Sequence, residues 1–234
     1  MRRLLGISFI VATIGLAARG AQAHVSIASG PGFANTTQEV IFSVGHGCAG
    51  ADTYRVRVEI PASVTSVRPM RSDFGKVSLE RDAAGVTTAV VWQKADADAL
   101  DEDIAFYKLV LRLKVPNAPF TTVYLPTHQT CRAADGTLAV SDWVGLPTDT
   151  AVDGGASEPA PALLVVPAHV PGWNKVTVPV AVSDLAAYFA DALIVWKGAA
   201  AFSANPTTKE LIAATPGVTA LASLAAADEI WVKY

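Results

Sequence analysis

YRVRVEI, residues 54–60, sets Tyr54, Val56, Val58 and Ile60 on one side of an extended chain and Arg55, Arg57 and Glu59 on the other. Successive side chains of a strand point to opposite faces, so this alternation predicts a strand with one buried face. Just upstream, EVIFSV (39–44) is apolar and β-branched and reads the same way. Working outward, further strands are predicted over 64–69, 76–81, 87–93, 106–115, 121–126 and 137–144. Asp73-Phe74-Gly75, Ala84-Gly85, Pro116-Asn117 and Asp135-Gly136 punctuate them as turns. Short strands without intervening helices predict a mainly β domain, an antiparallel β-sandwich, over residues 24–146.

Residues 147–161 (PTDTAVDGGASEPAP) hold almost no large apolar side chain and read as a linker. Beyond it the pattern changes. Residues 175–182, 193–197 and 229–234 look like strands, whereas 183–190 and 207–215 look helical. Ser183 and Thr207 are the expected N-caps, the second with Glu210 as a capping box. Residues 162–234 are therefore expected to form a small C-terminal α+β module.

The first 23 residues, MRRLLGISFIVATIGLAARGAQA, combine a basic start, an apolar run of about 15 residues and the small-residue pattern Ala21-Gln22-Ala23. They read as a secretory signal peptide; a retained anchor is the alternative, and about 15 apolar residues is short for a bilayer span. Cleavage after Ala23 would leave 211 of the 234 residues, an exported, periplasmic chain with no later membrane span. The formal charge of −3 becomes −6 when Arg2, Arg3 and Arg19 leave, which argues against a nucleic-acid partner.

Cys48 and Cys131 are the two cysteines. In an oxidising compartment such a pair reads as a disulfide, closing a loop of about 80 residues and stabilising the fold by about 4 kcal/mol in the chain-entropy model. A thiolate copper site is the competing reading, because Cys48 lies two residues from His46, but no methionine cluster accompanies it.

Four histidines occur: His24, His46, His128 and His169. Cleavage after Ala23 gives His24 a free α-amine, which closes a six-membered chelate with its own Nδ1. Nitrogen donors in a tetragonal plane suit Cu(II), and one further imidazole completes a histidine brace. His46, between Gly45 and Gly47 at the end of the 39–44 strand, is the candidate; an ordinary turn is the alternative. A Cys48–Cys131 bond would bring His128 into the neighbourhood. Asp142 is a candidate axial oxygen ligand, and Trp143 a candidate ring over an open coordination face, against a core tryptophan beside a solvent-facing aspartate. His169 is expected to be unrelated.

With these residues in view, the segment from His24 to about Val144 resembles the YcnI-like copper-binding domains of bacterial envelope proteins. The resemblance rests on the histidine after the leader, Gly-His-Gly-Cys at 45–48, VRVEIP at 56–61, VTSVRPM at 64–70, YLPTHQTC at 124–131 and Trp143. It implies an immunoglobulin-like β-sandwich that binds Cu(II) through His24 with Trp143 close to the metal. Some relatives place a glutamate where His46 stands here, and many have a Pro-Gly-Trp turn where this chain has Arg71 to Gly75. The module after residue 162 lies outside the resemblance.

The expected function is that of a periplasmic Cu(II) carrier or chaperone in copper homeostasis or oxidase assembly, exchanging its ion with a copper-transfer partner and catalysing no reaction. One alternative is a copper-dependent enzyme like the lytic polysaccharide monooxygenases, which would need a flat aromatic surface where the sequence offers only scattered Trp and Tyr. The other is a structural envelope protein. Sequence motifs for metalloproteases, phosphate-binding loops, dinucleotide folds and serine hydrolases are absent. The acidic run 96–103 lacks the glycine and terminal glutamate of an EF-hand and reads as a solvated loop.

Overall fold

The computed structural model describes residues 24–147 and 158–234; the segment expected to be a signal peptide and most of the expected linker lie outside the described residues. In chain order the first strands are β1 (Ser26–Ile27), β2 (Gly32–Phe33), β3 (Thr37–Val44), β4 (Asp52–Glu59), β5 (Thr65–Pro69), β6 (Lys76–Arg81) and β7 (Thr87–Gln93). There follow β8 (Tyr107–Lys114), β9 (Thr121–Tyr124), β10 (Thr127–Arg132), β11 (Leu138–Trp143) and β12 (Ala162–Val166). Two sheets, ordered β1-β3-β8-β5 and β11-β10-β4-β7-β6, enclose the first core, and a short β2-β12-β9 sheet closes its side.

The alternation in β4 is explained by this arrangement. Val56 and Val58 are fully buried beside Trp92 of their own sheet and share the core with Val40, Phe42, Leu109, Leu111 and Leu113 of the facing sheet, whereas Arg57 and Glu59 lie on the outer face. An immunoglobulin-like antiparallel sandwich is therefore what the 54–60 pattern encodes.

Several expected boundaries shift, among them the strand expected over 175–182, which runs instead from Trp173 to Thr177. The strand expected over 121–126 stops at Tyr124 and a separate strand, β10, starts at Thr127. Pro126 lies between them and has no N–H for a ladder, so the chain changes sheet there. The boundary expected at 162 moves as well, because β12 pairs with β9 and β2 and buries Leu163 and Val165 in the sandwich core. The helix expected over 207–215 is α2 (Pro206–Ala214), capped by Asn205 in place of Thr207: the Asn205 side chain accepts from Thr208 N at 3.2 Å. Proline at the first helical position loses no hydrogen bond, which favours the earlier start.

The C-terminal module is built on β13 (Trp173–Thr177), α1 (Leu185–Tyr188, capped by Asp184 in place of Ser183), β14 (Ile194–Lys197), β15 (Ala200–Phe202), α2, β16 (Thr219–Ala220) and β17 (Glu229–Lys233). Its sheet runs β13-β17-β14-β15-β16. Val178, Phe189, Val195, Ile230 and Val232 form a second core, which also receives Phe120 from the sandwich.

One buried polar cluster ties down the acidic loop. Lys94 pairs with Asp52, which also accepts from Tyr107 Oη at 2.6 Å and from Leu100 N at 2.9 Å. The 96–103 run is otherwise mostly exposed, as a solvated loop should be. Among the described residues, no helix is long and apolar enough to cross a membrane.

The Cys48–Cys131 disulfide is present and spans 83 positions. Replacing both cysteines by alanine should cost about 4 kcal/mol by the loop-closure argument, read as a fall in the urea midpoint; an unchanged midpoint would mean that the surrounding packing alone confines the loop.

Candidate metal centre

The site is organised by β10, which lies between β4 and β11. Thr127, Gln129 and Cys131 point inward and are buried, whereas His128, Thr130 and Arg132 point outward. The two sets of side chains have separate roles.

On the inner side Cys131 holds Cys48, and with it the Gly45–Cys48 loop. Gly47 cannot carry a side chain, because its Cβ would lie 1.8 Å from the Ala51 carbonyl oxygen. Gln129 fixes the rest. Its amide nitrogen donates to the His46 carbonyl at 2.7 Å and to Thr53 Oγ1 at 2.8 Å, and its Oε1 accepts from Trp143 Nε1 at 3.1 Å. Trp143 is thus buried with its indole N–H satisfied, and its ring lies 5.2 Å from that of His24, tilted by 42°.

His24 is positioned from the other sheet. Ser26 pairs with Ser43 and Ile27 with Phe42, and buried Val25 anchors the approach, so His24 lies beside the exit of β3, where Gly45-His46-Gly47 begins. Its Nε2 is 3.9 Å from Glu158 Oε2. Glu158 is carried there by main-chain bonds: Gly145 N donates to the Glu158 carbonyl at 2.7 Å, and Ala160 N to the Gly145 carbonyl at 2.9 Å. Sequence reasoning missed Glu158 because it falls in the segment read as linker. It missed Gln129 because THQTC does not look like a strand, although the parity of Cys131 would have shown that Gln129 faces inward.

His46 Nδ1 lies 2.5 Å from the Gly47 carbonyl oxygen, which can only accept, so Nδ1 is the donor in that contact. His128 and Asp142 are cross-strand partners on the outer face, opposite to Thr127 and Trp143. His128 Nδ1 is 2.6 Å from Asp142 Oδ1, and its Nε2 is 3.2 Å from Glu59 Oε1. Strand parity therefore assembles His128 and Asp142 with Glu59 and separates them from His24 and Trp143. His169 stacks on Tyr234 at 3.4 Å in the C-terminal half.

The outer network continues through Arg57, whose Nη1 donates to Glu59 Oε1 at 2.6 Å, and whose Nε and Nη2 donate to Glu80 Oε2 at 3.0 and 2.9 Å. Those hydrogen bonds hold the Glu59 and Glu80 carboxyls below the ordinary carboxylate range.

Among the described residues, no three His, Cys, Asp or Glu side chains are grouped to hold a metal. The inner cluster offers instead one imidazole, one carboxylate and a ring. The backbone nitrogen of residue 24 would add a donor once it becomes a terminal amine. That set of two nitrogens and an oxygen fits a tetragonal Cu(II) ion and lacks the thiolates or thioethers that favour Cu(I).

Fold and site together define an immunoglobulin-like sandwich with a histidine–tryptophan pair at one end. The chain belongs to the family described as a domain of unknown function, DUF1775, whose model matches residues 24–165. A crystal structure of an uncharacterized protein from Nocardia farcinica, described as having an immunoglobulin-like fold, is 24% identical with a TM-score of 0.50, covering 61% of this chain and 97% of its own. A structure of BcpA, the major pilin subunit of Bacillus cereus, is 10% identical with a TM-score of 0.36, covering 67% of this chain and 42% of that one. No curated protein matches the chain.

Both Arg57-linked carboxyls titrate below their unfolded values, so their ion pairs contribute fully above the unfolded carboxyl range, near pH 4.3, and fade as pH falls through the depressed values. Wild type and Arg57→Met should therefore differ in stability at neutral pH and converge in acid. A constant difference across a pH series of denaturant melts would contradict this.

Proposed function

We propose that this chain is a Cu(II)-binding protein of the bacterial envelope, of the YcnI-like kind, whose site is created when a signal peptide is removed after Ala23. The observation that carries the reading is the pairing of the His24 ring with Trp143 at 5.2 Å, with Glu158 Oε2 at 3.9 Å. An N-terminal histidine supplies an amine and an imidazole from one residue, with ordinary pKa values near 7.7 and 6.5, so both lose their protons to a metal at modest cost near neutral pH.

Two further groups would be able to complete the donor set: the Glu158 carboxylate and the imidazole of His46 in the adjoining loop. Trp143 covers one side of His24, and its indole is held by Gln129, so the ring cannot swing away without leaving a buried N–H unpaired. A half-exposed histidine and a small donor set suit an ion that is held and handed on by ligand exchange. The function proposed is therefore carriage of copper to a partner protein in copper homeostasis or oxidase assembly.

The protein with His24 as its first residue should bind one Cu(II) with sub-micromolar affinity, giving nitrogen hyperfine structure in EPR and partial quenching of tryptophan emission. Placing one alanine before His24 should weaken binding by at least about a hundredfold, through loss of the chelate. Glu158→Gln and His46→Ala identify the third donor, since the true ligand loses about tenfold or more and the bystander little. Unchanged affinity in the extended protein would overturn the reading.

A further inference from the structure

The sheet of the C-terminal module has one face in its core and one in solvent. Val176, Ile230, Val232 and Val195 turn inward, and the alternate residues of β13, β17 and β14 turn outward. On that outer face Trp231 is the direct partner of both Lys175 and Trp196, and one step along the strands Lys233 is the partner of Trp173 and Ile194. Three indoles thus stand together on a sheet whose core is complete without them. Trp173 is 51% exposed and Trp231 50%, an amount of indole surface that no packing requirement explains.

Together with Gly198, these three tryptophans line a shallow cleft of about 310 Å³. Gly198 sits in the β14–β15 turn with open space where a Cβ would be, so nothing projects over the indoles from that side. No aliphatic side chain lines the cleft, unlike the apolar grooves that receive peptide helices. The rim is polar: Lys233 Nζ lies 5.8 Å from the Trp173 ring, and Lys175 pairs with Glu229 at 2.7 Å.

We propose that this face is a carbohydrate-binding surface that takes a polysaccharide chain of pyranose sugars, neutral or carboxylate-bearing, across Trp173, Trp196 and Trp231. The C–H groups on the face of a pyranose ring carry partial positive charge, and an indole presents a negative π face that is stiff and costs little entropy to order. Lys175, Lys233 and Glu229 supply donors and an acceptor for hydroxyls at the edge of the stack. The same lysines oppose a quaternary ammonium ligand, the other habitual guest of clustered tryptophans. Nucleic acid is disfavoured because the chain is acidic overall, at −3, and would have few phosphates to neutralise. This inference is independent of the copper reading.

The test is co-sedimentation of the full-length protein with purified peptidoglycan sacculi, chitin and cellulose, with affinity electrophoresis in alginate as the carboxylate-bearing arm. Retention on at least one probe is expected, with a shift in tryptophan emission. Trp173→Ala with Trp231→Ala should weaken that retention about tenfold or more, the scale of a lost aromatic stack. Both indoles are half exposed, so the melting temperature should be unchanged. Retention by alginate should fall with salt and retention by cellulose should not, which distinguishes the two chemistries. Absence of retention on all four, or retention that the double variant leaves intact, overturns the proposal.

Discussion

The bond from Cys131 to Cys48 determines more of this protein than its contribution to stability suggests, because it sets the parity of β10. Once Cys131 must face inward, Gln129 and Thr127 face inward with it, and His128 and Arg132 are committed to the outer surface. A slip of one residue would exchange the two sets. Gln129 then acts as the junction of the inner site, because its amide carries a donor and an acceptor on one planar group and can serve the His46 carbonyl and the Trp143 N–H at once. Glutamate in its place could not donate. Leucine would deprive the buried Trp143 N–H of its acceptor, at about 1–3 kcal/mol.

Much of the fold was legible in the sequence, and the reasons are physical. Strands β4, β6 and β8 alternate apolar residues with polar ones, so their period of two shows directly, whereas β3 and β7 show as short apolar runs rich in β-branched residues. Strand β10 was not legible as a strand, since its inward residues are Thr, Gln and Cys and carry no hydrophobic signal. For the candidate site, His24 and Trp143 could be named from position and resemblance, and the structure sets their rings side by side. Glu158 could not be, because a carboxylate in a Pro-, Gly- and Ala-rich stretch gives no hint that Gly145 will bind its main chain. His128 and Asp142 depend on which face of β10 and β11 they occupy, and the alternation of those strands was not visible in composition.

The tryptophans of the C-terminal half illustrate a different limit. Trp173, Trp196 and Trp231 are scattered over nearly sixty positions, and no spacing rule connects them. They meet because β17 pairs with β13 on one side and β14 on the other, a topology that depends on the whole module. Their exposure also separates them from Trp92, which is fully buried and belongs to the sandwich core. A tryptophan count alone cannot distinguish these roles; strand pairing does.

The two halves are joined by more than a linker. Phe120, on the sandwich side, donates its backbone N–H to Val165 at 2.8 Å while its ring packs 5.4 Å from Tyr188 and 5.7 Å from Phe189 of the module. His169 lies between Phe33 of the sandwich and Tyr234 near the end of β17, edge-on to the first and stacked on the second. Burial of the Tyr234 phenol at this seam raises its pKa above the ordinary value. Aromatic contacts of this kind hold two units in one orientation, because their energy depends on ring angle as well as on area. The His24–Trp143 site and the tryptophan face are therefore carried on one body, so whatever the second surface grips sets where the first is presented.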